Sequence, residues 1–581
     1  MPTLLPTKVW SIIPPQLELQ RRLSDALGVS LFMAQLLINR GIHDREQGHR
    51  FLAHDITHMH DPFLLTDMDK AVARIHAARQ RRERILIYGD YDVDGITSIA
   101  VLQRALEKMG LEVVHHIPHR IHDGYGLNRS VGKLARDKKA TVFISVDCGI
   151  TAVHEVEILN KAGIDVIVID HHEPRPGMLP PALAVIDPKR HDCCYPFKDL
   201  AAVGLVMKFV QALQGCFDPD ALDLVALGTI ADVVPMLGEN RIIVQHGLEQ
   251  IAQTHNAGLA ALMEITKIKG KPMHPFMVGF ILGPRLNATG RMDTARRSLE
   301  LLLSNDRVAA LEMARALEQF NVRRQKIQRT MTEEAMDLVE REVNFKDDQV
   351  IVVSKAGWHK GVLGIVASRL AEKFWRPAVV ISLEEGVGHA SARSVEGFHL
   401  NEALSHCSSL LEEFGGHKLA AGLTIRAENI DLFRRQVNQF AQEVMAVQGL
   451  VPTLMVDGEI PLSATQSGLA VELNRLEPFG EGNPAPVFYT KNLRLKGRPV
   501  RRARDTLKFW VTDGQRMVPV VGFGMGKYCE ALAAQQYIDI AYQLTIDHWQ
   551  GVESVQLKLK DIRSSAVREE DCLSAEIEGR V

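Results

Sequence analysis

The chain has 581 residues, 46% hydrophobic and 24% charged, and its 68 Lys+Arg against 71 Asp+Glu leave a formal net charge of −3. At roughly 100–200 residues per domain this calls for three or four domains of ordinary globular composition, which excludes collagen-like, low-complexity and wholly disordered chains. No run of about 18 apolar residues is present to span a membrane, no secretory signal opens the sequence, and any nucleic-acid surface must be local because the total charge is near zero.

Residues 1–80 read as a helical segment, with an apolar stripe at Leu31, Phe32, Ala34, Leu36 and Leu37 and no strand. Over 81–304, short β-branched runs at 85–88, 112–117, 141–146 and 166–169 alternate with helical or loop stretches. One of these is a helix predicted over 97–109 and stopped by Gly110. Such alternation predicts βαβ units and a parallel sheet. Residues 305–345 carry a long helical pattern, free of Gly and Pro, that reads as a connector between two lobes. A smaller α/β region spans 346–447, with strands at 350–353 and 378–382, and a linker lies at 448–452. In the remainder, 448–581, runs at 507–511, 517–523, 538–544 and 555–559 separated by turn residues predict a small β-barrel. Seven cysteines without a C-x-x-C pair fit free thiols in a reducing cytoplasm.

Aspartates cluster at the ends of the predicted strands. Asp90, Asp92 and Asp94 follow the first, Asp147 follows 143–146, Asp170-His171-His172 follows 166–169, and Asp232 ends the apolar stretch 221–231. In an open parallel sheet the carboxyl ends of the strands face one crevice, where ligands bind. A single strand-end aspartate is usually a helix cap. Five or six carboxylates packed together would repel unless cations neutralised them. Carboxylates with imidazoles suit Mn²⁺ or Mg²⁺, whereas zinc more often recruits thiolates. Two such ions about 3.5–4 Å apart, bridged by a carboxylate, form the two-metal arrangement for phosphoester hydrolysis. Adjacent His171 and His172 point differently on a turn, so one can ligate while the other touches phosphate.

A set of motifs runs in order along the chain. It comprises Gly89-Asp90-Tyr91-Asp92-Val93-Asp94-Gly95, Ile117-Pro118-His119-Arg120 with Gly124-Tyr125-Gly126-Leu127, Val146-Asp147-Cys148-Gly149-Ile150, Asp170-His171-His172, and residues 195–200, 228–235 and 283–292. Gly357-Trp358-His359, residues 361–369 and Gly415-Gly416-His417 follow, then residues 476–484. Together these resemble the DHH/DHHA1 phosphoesterases, named for the Asp170-His171-His172 triplet, and within them the RecJ-type single-stranded-DNA-specific exonucleases. The resemblance implies a DHH catalytic domain over 81–304, the connecting helix over 305–345, a DHHA1 domain over 346–447 and an OB-like nucleic-acid-binding domain and tail over 448–581.

It also implies two ions, Mn²⁺ or Mg²⁺, held by Asp92, Asp94, Asp147, His171 and Asp232, with Asp147 bridging and Asp90 conditional. His172 would contact the scissile phosphate, and Arg285 and Asn287 would line the cleft. Arg120, Ser391 and Arg393 would hold the 5′-terminal phosphate, a fit that two guanidiniums and a hydroxyl make well, and His417 would face the substrate. Two departures stand out. Ala390 and Ala392 replace glycines around Ser391, and Tyr88 occupies a position where relatives can use a metal-ligating histidine.

A strand-holding path needs cations and stacking surfaces. Lys491, Arg494, Lys496, Arg498, Arg501, Arg502, Arg504 and Lys508 supply the cations, with Tyr489, Phe509 and Trp510 flanking them and Tyr125 available to stack near the cleft. The expected function is a metal-dependent 5′→3′ exonuclease that digests single-stranded DNA to 5′-mononucleotides in bacterial recombination and repair. Its implied partners are single-stranded-DNA-binding protein and a helicase. The alternative is a DHH phosphodiesterase acting on short oligonucleotides or cyclic dinucleotides, which the extra basic barrel disfavours. A phosphatase using Asp92 as covalent nucleophile leaves Asp170-His171-His172 and Asp232 unexplained. A degenerate, non-enzymatic scaffold would be expected to have lost ligands that are all present here.

Overall fold

The computed structural model describes residues 8–120, 123–124, 126–448, 451–549 and 552–565. The chain forms two compact units. One joins the N-terminal stretch through His54 to Val451–Phe479 and the region from Asn483 onward; the other comprises Asp55–Leu450 with Gly480–Gly482. The segment expected as one helical piece over 1–80 is therefore divided. Leu23, Met33, Leu36 and Leu37 are buried with barrel residues such as Phe488 and Leu507, while Ala71, Ile75 and Ala78 of helix Met68–Arg81 are buried under the parallel sheet. The segment also contains a strand, Val9–Ile12, which pairs in parallel with Thr453–Val456. Four residues without a partner nearby in sequence give too short a pattern to read.

In the larger unit, five strands lie in the order Glu112–His116, Arg84–Gly89, Val142–Val146, Asp165–Ile169, Ala184–Ile186. All pairings are parallel. The four strands Arg84–Gly89, Val142–Val146, Asp165–Ile169 and Ala184–Ile186 are mainly apolar because both faces are covered, while the edge strand Glu112–His116 carries Glu112, His115 and His116. Ile85, Ile87, Ile144 and Ile167 enter one core, and Leu86, Phe143, Val166 and Val168 enter the other. The chain passes from Arg84–Gly89 to one neighbour and returns on its other side, so the switch point lies between Arg84–Gly89 and Val142–Val146, where α/β sheets place their ligands.

Helix Val93–Lys108 starts four residues earlier than its apolar pattern implies, because Asp92 caps it by accepting the Gly95 amide at 3.1 Å. Gly95 is required there, since a Cβ would lie 2.4 Å from the Asp90 carbonyl oxygen.

The 36-residue helix Arg307–Glu342 is about 54 Å long at 1.5 Å per residue. Its first half buries Ala310, Ala314 and Leu317 in the first lobe, and its second half buries Met331, Ala335 and Val339 in the other. That lobe's sheet runs Leu411–Gly416, Ala420–Arg426, Val387–Arg393, Ala378–Glu384, Ile351–Ala356. Only the last two strands are legible in the sequence; the other three are interrupted by glycine and small polar residues. In the smaller unit, Phe488–Arg502, Thr506–Thr512, Met517–Gly522, Val552–Ser564 and Tyr537–Trp549 pair in sequence, and Tyr537–Trp549 closes back onto Phe488–Arg502. The longest of them, Phe488–Arg502, is hidden in the sequence by its basic residues.

A buried ion pair fixes the helix that faces the acidic strand ends. Lys208, on helix Ala202–Gln214, lies 2.6 Å from Glu239, both side chains at most 1% exposed. Lys208 also donates to the His60 carbonyl, and Glu239 accepts from the Tyr195 hydroxyl and the His60 amide. Removing one partner strands the other charge. Lys208→Met is therefore expected to lower the unfolding free energy by about 3–5 kcal/mol, read by urea denaturation, with Lys208→Met/Glu239→Leu recovering most of the loss.

Candidate metal centre

Asp90 and Asp147 extend from the carboxyl ends of neighbouring strands at the switch point, and both are buried. Asp147 adopts φ 61°, a left-handed conformation that costs a non-glycine residue on the order of 1–2 kcal/mol, and its amide donates to the Ile169 carbonyl at 3.0 Å. Val233, directly after Asp232, is likewise left-handed at φ 65°, which is unusual for a β-branched residue. Strain of this kind persists where the surroundings over-determine it, commonly at functional sites.

Asp170 organises the histidine pair. One oxygen accepts the Ile150 amide at 2.9 Å, and the other accepts the His171 amide at 2.8 Å and His172 Nδ1 at 2.7 Å. His171 Nε2 is left 3.3 Å from Asp147 Oδ1 and 3.7 Å from Asp232 Oδ2. That nitrogen and Asp90 Oδ1 are buried without hydrogen-bond partners among the described residues. Orphaned buried donors and acceptors are rare and call for an absent partner. Both point to a cation, which a carboxylate–imidazole set of this kind binds. Three groups offer ligand atoms mutually within 4.8 Å: Asp90, Asp92 and Asp147; Asp94, His171 and Asp232; Asp147, His171 and His172. Asp147 and His171 each belong to two of them. Asp94 has a second task, because its two oxygens accept the Ala202 and Val203 amides at 2.8 Å, at the start of the helix that Lys208 anchors.

The electrostatics agree with the geometry. Burial, reinforced by the other carboxylates, pushes Asp90, Asp94 and Asp147 well above the usual carboxylate range, and burial with Asp92 lifts Asp232 to about 7. Burial and the neighbouring His172 drive His171 down to about 3, so it presents a neutral ligand nitrogen. Burial also opposes the charges on Asp170 and His172, but their mutual attraction and hydrogen bond prevail, holding Asp170 at about 2 and His172 at about 9. Divalent cations relieve this carboxylate crowding. Asp187, which no sequence motif singles out, ends strand Ala184–Ile186 on the same edge. Burial and Asp170 raise it to about 8.

A cationic pocket adjoins the centre. Arg393 Nη1 lies 3.3 Å from Ser391 Oγ on strand Val387–Arg393. Both sit against Gly364, where a Cβ would come within 2.9 Å of Arg393 and 3.0 Å of Ser391. Ala390 and Ala392 enter the core on one face of the lobe's sheet and leave Ser391 and Arg393, half-buried, on the other. The Arg120 guanidinium lies over the Tyr91 ring at 4.7 Å and partly offsets the rise of Asp90. Arg291 completes the group: it donates to the Gly361 carbonyl, and burial together with Arg120, Arg324 and Arg393 lowers it to about 9. Among the described residues no carboxylate pairs with Arg120, Arg291 or Arg393. Arg291 is visible in the sequence only near the end of the 283–292 motif, with nothing local to mark it as part of a pocket.

The remaining expected residues divide between the cleft and other tasks. Arg285 is held by Glu318 of the connecting helix and by the Ile281 carbonyl, so its guanidinium joins lobe to helix rather than the acidic cluster. Asn287 lines a cavity of about 160 Å³ together with Ala231 and Arg291. Tyr88 is buried in the second core, where its hydroxyl donates to the Gly126 carbonyl at 3.0 Å. His417, on an exposed turn, stacks near His172 at 6.3 Å. Tyr125 lies outside the described residues.

On the barrel, side-chain alternation turns Phe509 into the core and Tyr489 away from it, where Trp10 and Leu454 cover it, so Trp510 is the exposed one of the three flanking aromatics. Trp510 is 45% exposed and stands opposite Lys496, with Lys508 opposite Val500. Arg501 pairs with Asp505, while Arg502 and Arg504 are exposed at the adjoining hairpin.

Comparison with known proteins follows the same partition. Residues 84–229 match the DHH family N-terminal domain, 347–443 the DHHA1 domain and 456–561 the RecJ OB domain. The chain is 38% identical to the single-stranded-DNA-specific exonuclease RecJ of Bacillus subtilis over 95% of its own length and 70% of the relative's. It is 33% identical to that of Dickeya dadantii over 91% and 95%. The crystal structure of RecJ from Thermus thermophilus in complex with Mn²⁺ superposes with a TM-score of 0.83 at 29% identity, covering 97% of this chain and 80% of that one. With its DHH, DHHA1 and OB modules in this order, the chain belongs to the RecJ family of DHH phosphoesterases.

Proposed function

We propose that the protein hydrolyses single-stranded DNA from its 5′ end and releases 5′-mononucleotides. The observation that carries this reading is the juxtaposition of an acidic, imidazole-bearing cluster with an arginine pocket whose guanidiniums form no ion pair among the described residues. Asp90, Asp92, Asp94, Asp147, His171 and Asp232 would hold two divalent ions, Mn²⁺ or Mg²⁺, which supply an activated water and neutralise phosphate oxygens. Arg120, Ser391 and Arg393, with Arg291 beside them, take the 5′-terminal phosphate. The phosphodiester one nucleotide along is then the one presented to the cluster.

Attack at that phosphorus breaks the bond to the first nucleotide's 3′ oxygen. The first nucleotide keeps its 5′-phosphate, and the shortened strand again ends in one. His172, charged and oriented by Asp170, contacts the scissile phosphate and is placed to protonate the departing 3′ oxygen; His417 and Asn287 border the same cleft. Lys496, Lys508 and Trp510 suit a strand-holding surface on the barrel, with Arg501, Arg502 and Arg504 at its margin. The reading extends to the bacterial cytoplasm, with single-stranded-DNA-binding protein and a helicase as partners that expose or protect such strands. The described cysteines are free, and no described helix is long and apolar enough to cross a membrane.

Digestion of strands labelled at either end tests polarity: the 5′ label should appear at once as a mononucleotide and the 3′ label only at completion. Early release of the 3′ label would reverse the assignment. Asp147→Ala should slow hydrolysis on the order of 10³-fold or more while strand affinity stays within a few-fold. Mn²⁺ at 100 times its Kd should stabilise the wild type by about 2.7 kcal/mol, seen as a rise in Tm that Asp147→Ala abolishes. Trp510→Ala should weaken long-strand binding by about 1–3 kcal/mol yet leave dinucleotide turnover unchanged.

A further inference from the structure

Beyond the arginine pocket, away from the acidic cluster, the larger unit has a recess that the mechanism does not use. Its floor is the connecting helix, with Arg324 and Arg329; Arg369 and Ile365 border it from helix Leu363–Phe374, and Phe280 forms its lip. The recess measures about 560 Å³. It shares Pro284, Arg324 and Ile365 with the smaller cavity that holds Asn287, Arg291 and Ala231, the last adjacent to Asp232. A continuous path therefore leads outward from the neighbourhood of the cluster, past Arg291, into the recess.

Three features of the lining are unexplained by folding. Phe280, on the lining, is 71% exposed, and Phe276, outside the lining and 65% exposed, stacks on it at 4.8 Å with 22° between planes. Phe280 lies in the π-helical stretch Val278–Leu282, a distortion found mostly at functional sites. Arg324 is 9% exposed; its Nη1 and Nη2 donate to Gln328 and Asn321, but its Nε is buried without a hydrogen-bond partner among the described residues. Arg324, Arg329 and Arg369 form no ion pair among the described residues, although Glu333 also borders the recess. Aromatic faces beside unneutralised guanidiniums match a base joined to a phosphate.

Strand topology adds direction. If hydrolysis runs from the 5′ end, the uncut strand fills the 3′ side, so the cleaved nucleotide must depart on the side of the 5′-phosphate pocket. We propose that the recess is an exit station for the product, binding a released nucleoside 5′-monophosphate with its phosphate on Arg324, Arg329 and Arg369 and its base against Phe280, which Phe276 backs. This rests on the exonuclease reading above. The ligand is the free mononucleotide rather than a further stretch of strand.

The test titrates dTMP, thymidine and inorganic phosphate into the full-length protein and into Phe280→Ser/Arg329→Gln, both changes being at exposed positions. Wild type should bind dTMP at least tenfold more tightly than either fragment. The double variant should lose at least tenfold in dTMP affinity and in inhibition by dTMP, with an unchanged KM for a long 5′-phosphorylated strand; Phe276→Ser should give a smaller loss of the same kind. Equal dTMP affinity in wild type and variant overturns the proposal, as does no dTMP binding by the wild type. A rise in strand KM without loss of dTMP inhibition also overturns it, in favour of a strand-holding groove. Failure of the wild type to release mononucleotides from single strands would strike the exonuclease reading, and it is scored in the digestion assay separately from the titration that decides the recess.

Discussion

Carboxylates drawn into a low-dielectric crevice repel one another, and most of this molecule's larger unit can be understood as the means of holding them there. Asp90 and Asp147 arrive on adjacent parallel strands, Asp92 and Asp94 on the first turn of the following helix, and Asp232 at the end of another. Each is fixed by the backbone rather than by a flexible tether. Asp94 is the clearest case, with both oxygens bound by the amides that open helix Ala202–Gln214. That helix is itself anchored by the fully buried Lys208–Glu239 pair. A cluster so constrained cannot relax by moving apart, so its crowding is relieved by protons or by cations. The orphaned His171 Nε2 and Asp90 Oδ1 indicate cations.

The arginine group is the complement. Arg120 comes from the end of the first βαβ unit, Arg291 from helix Gly283–Met292, and Ser391 and Arg393 from the second lobe. Their convergence depends on helix Arg307–Glu342, whose two halves are buried in different cores and so set the second lobe against the first. Glu318 on the same helix holds Arg285. Burial, and after it the like charges of Arg120, Arg324 and Arg393, lower the proton affinity of Arg291, and perturbed cationic groups gathered in a cleft mark a candidate anion site. Acid and base are thus segregated within one cleft, an arrangement suited to a phosphodiester with a free terminal phosphate.

The smaller unit solves a separate problem. A closed barrel leaves no sheet edge exposed, and the N-terminal helices cover part of its core with Leu23, Met33 and Leu36. Its basic residues are carried mainly by one long strand and the hairpin after it, which puts Lys496 beside Trp510 on the outer surface.

Local pattern suffices for much of this. The β-branched runs of the parallel sheet, the uninterrupted connector helix and the residue types at the strand ends are set by neighbours a few positions away, and they are readable as such. So are the metal-binding chemistry and the family, because Asp170-His171-His172 and its companion motifs are contiguous. Other features depend on partners hundreds of residues distant. Nothing near residue 9 announces that Val9–Ile12 pairs with Thr453–Val456. Nothing near Arg285 reveals Glu318, and nothing near Arg291 reveals Arg393. Phe509 and Trp510 look alike in the sequence until strand register turns one into the core and the other to solvent. Composition and short-range periodicity determine which elements form and which chemistry is available; only closure of the chain on itself decides which side chains meet.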